Sequence, residues 1–285
     1  LTHAECRDGY AVIDGTAFYE EGVSRLSCLG MKVKYYYDES TGQLVLKAAV
    51  PVKNDELYLK AEQIQSYNNN TYRYSDDNRV RSAHIDNNMK LLYNGKITSQ
   101  RNPFVPKYGT VRLIDNTGDG KYDVVIIENA YNVLFESLNN EIIYGQNLDE
   151  SGKKHKINIK DADYLSIERD GINISPSDIK ENSIITSVVS EDEKFFKLYV
   201  SDRTTDGTIM AADEEEIDID GNIYKVADKL YNPDLAAVPG KKVTVYFDVY
   251  GNVAAVLAAG DGEYHYGYVL KVSPDEDEDN VIVKL

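Results

Sequence analysis

The chain has 285 residues, with 48 Asp and Glu against 31 Lys and Arg, a formal charge of −17 at pH 7. Such acidity repels phosphate backbones and anionic lipid, which argues against a nucleic-acid or membrane-surface partner. No apolar run approaches the roughly 18 residues of a membrane helix, so membrane insertion is not expected. A hydrophobic share of 42% suffices for a core, and 23 Tyr with 3 Met and no Trp lean towards β-structure.

In chain order, the first features are Cys6 and Cys28. A disulfide and two buried thiols are both compatible with their spacing, and without a nearby His they do not make a metal set. The chain starts at Leu1 without a charged-then-apolar leader, which reads as a mature chain or a fragment. Short apolar stretches then alternate with polar residues, broken every 8–12 positions or so by Asn, Asp and Gly. This predicts antiparallel hairpins at Lys32–Tyr37 with Gln43–Ala48, Thr110–Ile114 with Tyr122–Ile127, and Val243–Phe247 with Asn252–Leu257. Strands are also expected at Ile184–Val189 and Phe195–Val200. Asn54–Gln65 and Ser177–Lys180, the latter entered through Ser175-Pro176, can each hold one helical turn.

Internal repetition is the strongest signal. Gly30–Ala48 reads GMKVKYYYDESTGQLVLKA and Gly240–Ala258 reads GKKVTVYFDVYGNVAAVLA, each preceded by Ile-Asp-Gly, at Ile13–Gly15 and Ile219–Gly221. Ile13–Ala48 and Ile219–Ala258 therefore look like two copies of one unit. A glycine-opened strand recurs at Gly109, Gly207 and Gly267, and copies near Tyr10 and Tyr266 look incomplete. A weaker echo links Tyr72–Gly95 with Ile142–Gly171. The connectors Asn102–Pro106, stiffened by two prolines, and Ser201–Asp206 suggest three blocks, 1–104, 105–203 and 204–285.

The best chemical candidate is the loop Asp115-Asn116-Thr117-Gly118-Asp119-Gly120-Lys121-Tyr122-Asp123. Calcium takes six to eight oxygens. Asp115, Thr117, Asp119 and Asp123 offer side-chain oxygens, Lys121 a carbonyl, and Gly120 the sharp turn. Ile126 occupies the place of the bidentate Glu of an EF-hand, so a hairpin loop holding a possible calcium ion is one reading. An ordinary turn uses the same residue types and is the other. His3, His84, His155 and His265 are scattered, and neither nucleophile-elbow, phosphate-loop nor dinucleotide motifs occur. Glu214–Glu216 and Asp275–Asp279 read as solvated turn tips. Alternation puts Tyr35 and Tyr37 on one strand face, and Tyr264 and Tyr266 on another. Such rings pack a sheet or form a stacking platform for glycan or peptide.

The segment GTVRLIDNTGDGKYDVVIIE from Gly109 to Glu128, the segment IDIDGNIYKV ending at Val226, and the strand pair from Gly240 to Ala258 resemble the β-repeat regions of large secreted cell-surface proteins of Gram-positive Firmicutes that carry S-layer homology domains. Thr117 stands where that group commonly has an acidic residue. The resemblance implies a secreted or cell-surface location in a bacterial envelope, cell-wall or host surface components as partners, and no catalytic residues.

The expected fold is mostly β, with tandem small barrel- or sandwich-like modules built from antiparallel hairpins and little helix. The expected function is a non-catalytic spacer or adhesive region of a cell-surface protein. A glycan- or peptide-binding module using Tyr35, Tyr37, Tyr264 and Tyr266 is the alternative, and a glycan-active enzyme a third.

Overall fold

The computed structural model describes residues 10–20, 28–40, 42–52, 54–77, 79–98, 103–148, 153–259, 271–274 and 281–284. The protein is mostly β, 66% strand against 5% helical, so helix is the minority expected. Its strands are β1 (Tyr10–Ile13), β2 (Thr16–Glu20), β3 (Val33–Ser40), β4 (Gln43–Pro51), β5 (Asp55–Lys60), β6 (Ile64–Asn68), β7 (Thr71–Asp76), β8 (Arg79–Tyr93), β9 (Lys96–Ile97), β10 (Gly109–Asp115), β11 (Tyr122–Asn139) and β12 (Ile142–Leu148). There follow β13 (Lys154–Asn158), β14 (Tyr164–Arg169), β15 (Ile172–Asn173), β16 (Ile184–Val189), β17 (Phe195–Ser201), β18 (Thr204–Ala212), β19 (Glu216–Ile219), β20 (Asn222–Tyr231), β21 (Lys242–Phe247), β22 (Val253–Ala258), β23 (Lys271–Pro274) and β24 (Val281–Lys284). Two 3₁₀ turns, Ala61–Gln63 and Pro176–Asp178, fall where single helical turns were expected. The four-residue α1 (Pro233–Ala236) was not foreseen.

One pairing order recurs along the chain. Residues 204–258 form a closed barrel, β18-β19-β20-β22-β21, in which β21 returns to pair with β18. Numbered within the barrel, the order is 1-2-3-5-4-1, and the third and fifth strands run parallel. Residues 55–127 repeat it. Here the first strand is broken by a 3₁₀ turn into β5, which pairs with β10, and β6, which pairs with β7. β7 pairs with β8, β8 runs parallel to β11, and β11 pairs with β10. Residues 130–201 repeat it again. The second half of β11 pairs with β16 and β12, β12 with β13, and β14 runs parallel to β17, which pairs with β16. In the N-terminal sheet, β1-β2-β4-β3, the same positions two to five are present, with β2 parallel to β4.

Each of the three fuller groups has its own core. That of 55–127 includes Leu59, Tyr72, Val111 and Ile127. That of 130–201 includes Val133, Ile143, Ile185 and Leu198, and that of the barrel Ile209, Ile219, Val245 and Val256. The sequence rule behind these strands is period-two burial, as in Val243, Val245 and Phe247 of β21. Hairpins close through pairs such as Asp14-Gly15 and Asp220-Gly221, both with positive φ at each position, as a type I′ turn requires.

The expectation of tandem small barrel- or sandwich-like modules needs correction. The groups succeed one another in a solenoid-like progression. β11 is a single strand of 18 residues that ends one group and begins the next, and a 13-stranded sheet runs through both. Pairing also groups the strands differently from the blocks 1–104 and 105–203, because β5 and β8 bond to β10 and β11 across that line. Residue 203 lies in the two-residue link between β17 and β18.

Two details of the repeat differ from the sequence reading. Tyr36 faces Ala48 and Tyr246 faces Ala255, so the last strands of the two copies correspond with a shift of three residues. Gly109 and Gly207 are not equivalent. Gly109 opens a fourth strand with φ 118°, and a Cβ there would lie 2.0 Å from the Glu128 carbonyl oxygen. Gly207 lies inside the first strand of the barrel and faces Ile219. Gly267 is outside the described residues.

Candidate functional site

The turn between the fourth and fifth strands is where polar chemistry concentrates. In residues 55–127 it is the Asp115 loop. Asp115 is buried. Its Oδ1 accepts the Thr117 and Gly118 N–H groups at 2.9 and 2.6 Å and the Thr117 hydroxyl at 3.2 Å. Its Oδ2 accepts the Gly120 N–H at 2.9 Å. Burial works to raise the Asp115 carboxyl, but the Gly118, Gly120 and Thr117 donors outweigh it and hold the group below its ordinary range. Asp123 accepts the Asn116 N–H at 2.7 Å, and Asp119 the Lys121 N–H at 2.9 Å.

The residues read as cation ligands, Asp115, Thr117, Asp119, Lys121 and Asp123, thus spend their hydrogen bonds on shaping the turn. Among the described residues, no group of three or more His, Cys, Asp or Glu is placed to hold a metal ion. The loop also reaches outwards. Asn116 donates to the Gly30 carbonyl at 3.0 Å and accepts the Lys32 N–H at 2.6 Å, tying the turn to the start of β3.

The equivalent turn of 130–201 uses Ser190. Its buried hydroxyl accepts the Lys194 and Phe195 N–H groups. This turn docks on the β8–β9 hairpin: Asn94 donates to the Val189 carbonyl at 2.7 Å, and Lys96 pairs with Asp192 at 3.0 Å. Beside it lies an open cavity of about 720 Å³ lined by Tyr93, Lys96, Pro103 and Glu191 among others. Behind the docked turn, Lys197 of β17 meets Glu128 of β11 at 2.9 Å in a largely buried ion pair. Burial tends to lower the Lys197 ammonium, but Glu128 outweighs it and holds the group above its ordinary 10.5.

In the barrel the turn carries Asp248, 0% exposed. Asp248 Oδ1 accepts the Tyr250 and Asn252 N–H groups at 2.9 and 3.0 Å. Oδ2 accepts Asn132 Nδ2 of β11 at 2.9 Å and the Tyr108 hydroxyl. Asn252 donates to the same hydroxyl at 2.9 Å, and Thr186 of β16 donates to Asn132 Oδ1 at 2.8 Å. Burial, then the Asp248 charge, keeps the Tyr108 phenol far above its ordinary range, so it remains a donor. One carboxylate thereby touches all three fuller groups. Small apolar residues surround it: Ala227, Ala254 and Ala255 of the barrel pack on Leu134 and Ile184.

Of the tyrosines singled out, Tyr264 and Tyr266 lie outside the described residues, as does Cys6. Cys28 is buried, its Sγ 4.0 Å from the Ala49 carbonyl oxygen. Tyr35 and Tyr37 do share a face. Their rings stack at 6.1 Å, and both lie 5.3 Å from Phe18. Their barrel counterparts are Val245 and Phe247, 0% and 3% exposed, whereas Tyr35 and Tyr37 are 37% and 51% exposed. They occupy the strand positions that are buried in the barrel.

Sequence reasoning found the Asp115 turn and left it open between a cation loop and an ordinary turn, and it passed over Tyr108, Glu128, Asn132, Lys197 and Asp248. One signal was present. Asp38, Asp115 and Asp248 each follow the apolar run of a fourth strand, and a carboxylate recurring there fits a turn cap better than a unique ligand set. No protein-family model matches the chain, and no curated protein matches it.

Proposed function

We propose that this chain is part of a non-catalytic spacer or adhesive region of a bacterial cell-surface protein, built from recurring five-stranded units in solenoid-like succession. The observation that supports this is the recurrence of one strand order, each of the three fuller copies keyed to what precedes it by the turn after its fourth strand. Such a strand order hosts many unrelated functions and by itself implies no ligand. The keyed turns use their polar groups on neighbouring parts of the same chain, which is what a spacer requires. High negative charge keeps an array of this kind soluble and self-repelling.

Antibodies raised against the chain test the location: they should label intact cells of the bacterium that makes it. Labelling only after lysis would overturn the surface assignment. The glycan- or peptide-binding alternative rests on the partial exposure of Tyr35 and Tyr37. It predicts that Tyr37→Ala abolishes retention on cell-wall glycan that the wild-type chain shows.

A further inference from the structure

The barrel at 204–258 is joined to the preceding group by two residues, Asp202 and Arg203. The link is tied on both sides, Asp202 to Arg169 at 3.1 Å and to the Ser183 hydroxyl at 2.6 Å, and the Arg203 carbonyl to the Phe247 N–H at 3.0 Å, but these contacts reach only the adjoining group. What holds the barrel beyond that is unusual in chemistry. Asp248 is a fully buried carboxylate, and its partners are a phenol, an amide and two backbone N–H groups; the interactions described for it include no cation. A buried charge without a counter-ion is costly. All its acceptor sites are satisfied by donors fixed in three separate parts of the chain, so it tolerates only one arrangement of those parts.

The outer ring of contacts points the same way. Lys60, at the end of β5, donates to the Tyr250 carbonyl at 3.3 Å. Lys225 of β20 pairs with Glu62 at 3.2 Å. The Tyr108 and Tyr250 rings meet edge to face at 5.4 Å. Each of these reaches from the barrel past residues 130–201 to residues 55–127.

We infer that the Asp248 turn is a keystone that locks the barrel against both preceding groups, making residues 55–258 one rigid, cooperative body across the two-residue link. The barrel's neighbours, rather than its own core, then set its orientation. The inference concerns rigidity and stands whether or not the chain proves to be at a cell surface.

The test uses the full chain with Tyr108→Phe and, separately, Asn132→Ala. Both residues lie outside the barrel, so neither substitution disturbs its core. In the wild type, residues 55–258 should unfold in a single calorimetric transition. In each variant the barrel should melt as a separate, earlier transition. Amides of β21 and β22 should exchange about 10- to 100-fold faster, the range expected when a hydrogen bond to a charged group is lost. The scattering radius of the native chain should rise. A single transition with an unchanged radius in both variants would overturn the inference, as would two transitions in the wild type.

Discussion

The N-terminal sheet and the barrel are the same arrangement with and without a first strand among the described residues, and the comparison isolates what that strand contributes. In the barrel β18 bridges β19 and β21, and the fourth-strand residues Val245 and Phe247 are sealed. In the N-terminal sheet β1 and β3 hold the corresponding edges, and Tyr35 and Tyr37 stay half open on Phe18. Tyr suits that position because its ring can pack while its hydroxyl meets water. The same strand position is therefore occupied by purely apolar side chains in the closed barrel and by amphipathic ones in the sheet whose described residues include no first strand.

Substitutions at paired positions test this directly. Phe247→Ala should cost about 3–5 kcal/mol, the range for emptying a buried aromatic site. Tyr37→Ala should cost about 1 kcal/mol, because half the ring is already in water. Urea unfolding followed by amide exchange in each region measures both, and equal costs would break the comparison. Glycine positions provide a second pair. Gly109→Ala places a Cβ against the Glu128 carbonyl at φ 118° and should cost about 3 kcal/mol or more. Gly15→Ala, at φ 79° with open space around it, should cost about 1–2 kcal/mol. Thermal unfolding of the two variants ranks them.

The turns sharpen the comparison at a smaller scale. Asp115→Ala strands the N–H groups of Thr117, Gly118 and Gly120 and should cost about 1–3 kcal/mol. Millimolar calcium should leave the melting temperature of the wild type unchanged, and a rise would restore the cation reading of the loop. The smallest effect concerns pH. The Asp115 carboxyl is held low, so its stabilisation is complete above its ordinary 3.8 and is lost as pH falls through the folded value. The Lys197 ammonium is held high, so its stabilisation is complete below 10.5 and is lost as pH rises through the folded value. Asp115→Asn should flatten only the acid limb of the stability profile, and Lys197→Met only the alkaline limb.

Much of the strand layout was legible in the sequence, because period-two burial and Asn, Asp and Gly turns are local signals. The hairpins β3–β4, β10–β11 and β21–β22 follow from them, and so does the kinship of Ile13–Ala48 with Ile219–Ala258. The closure of each circuit was not legible. It depends on a parallel pairing of third and fifth strands, such as Val226 with Val253, and no local pattern specifies a partner that distant. The keyed turns were hidden for a related reason. The meaning of Asp248 lies in Tyr108 and Asn132, more than a hundred positions away, and that of Lys197 lies in Glu128. The Asp115 loop shows the converse hazard, since oxygen-rich turns and oxygen-rich cation sites are written in the same residues.

The continuity of β11 bears on how such an array can change over time. Side chains along a strand alternate between faces, so the strand carries a phase from residues 122–127 into 130–139. One residue gained or lost near Glu128 would turn Val133 and Phe135 out of one core while leaving Val125 and Ile127 in the other. Copying or exchanging units across that strand must therefore preserve parity. The link at Asp202–Arg203 carries no strand phase, but the barrel it joins is keyed by Asp248 to Tyr108 and Asn132, so an exchange of units there must carry those partners along.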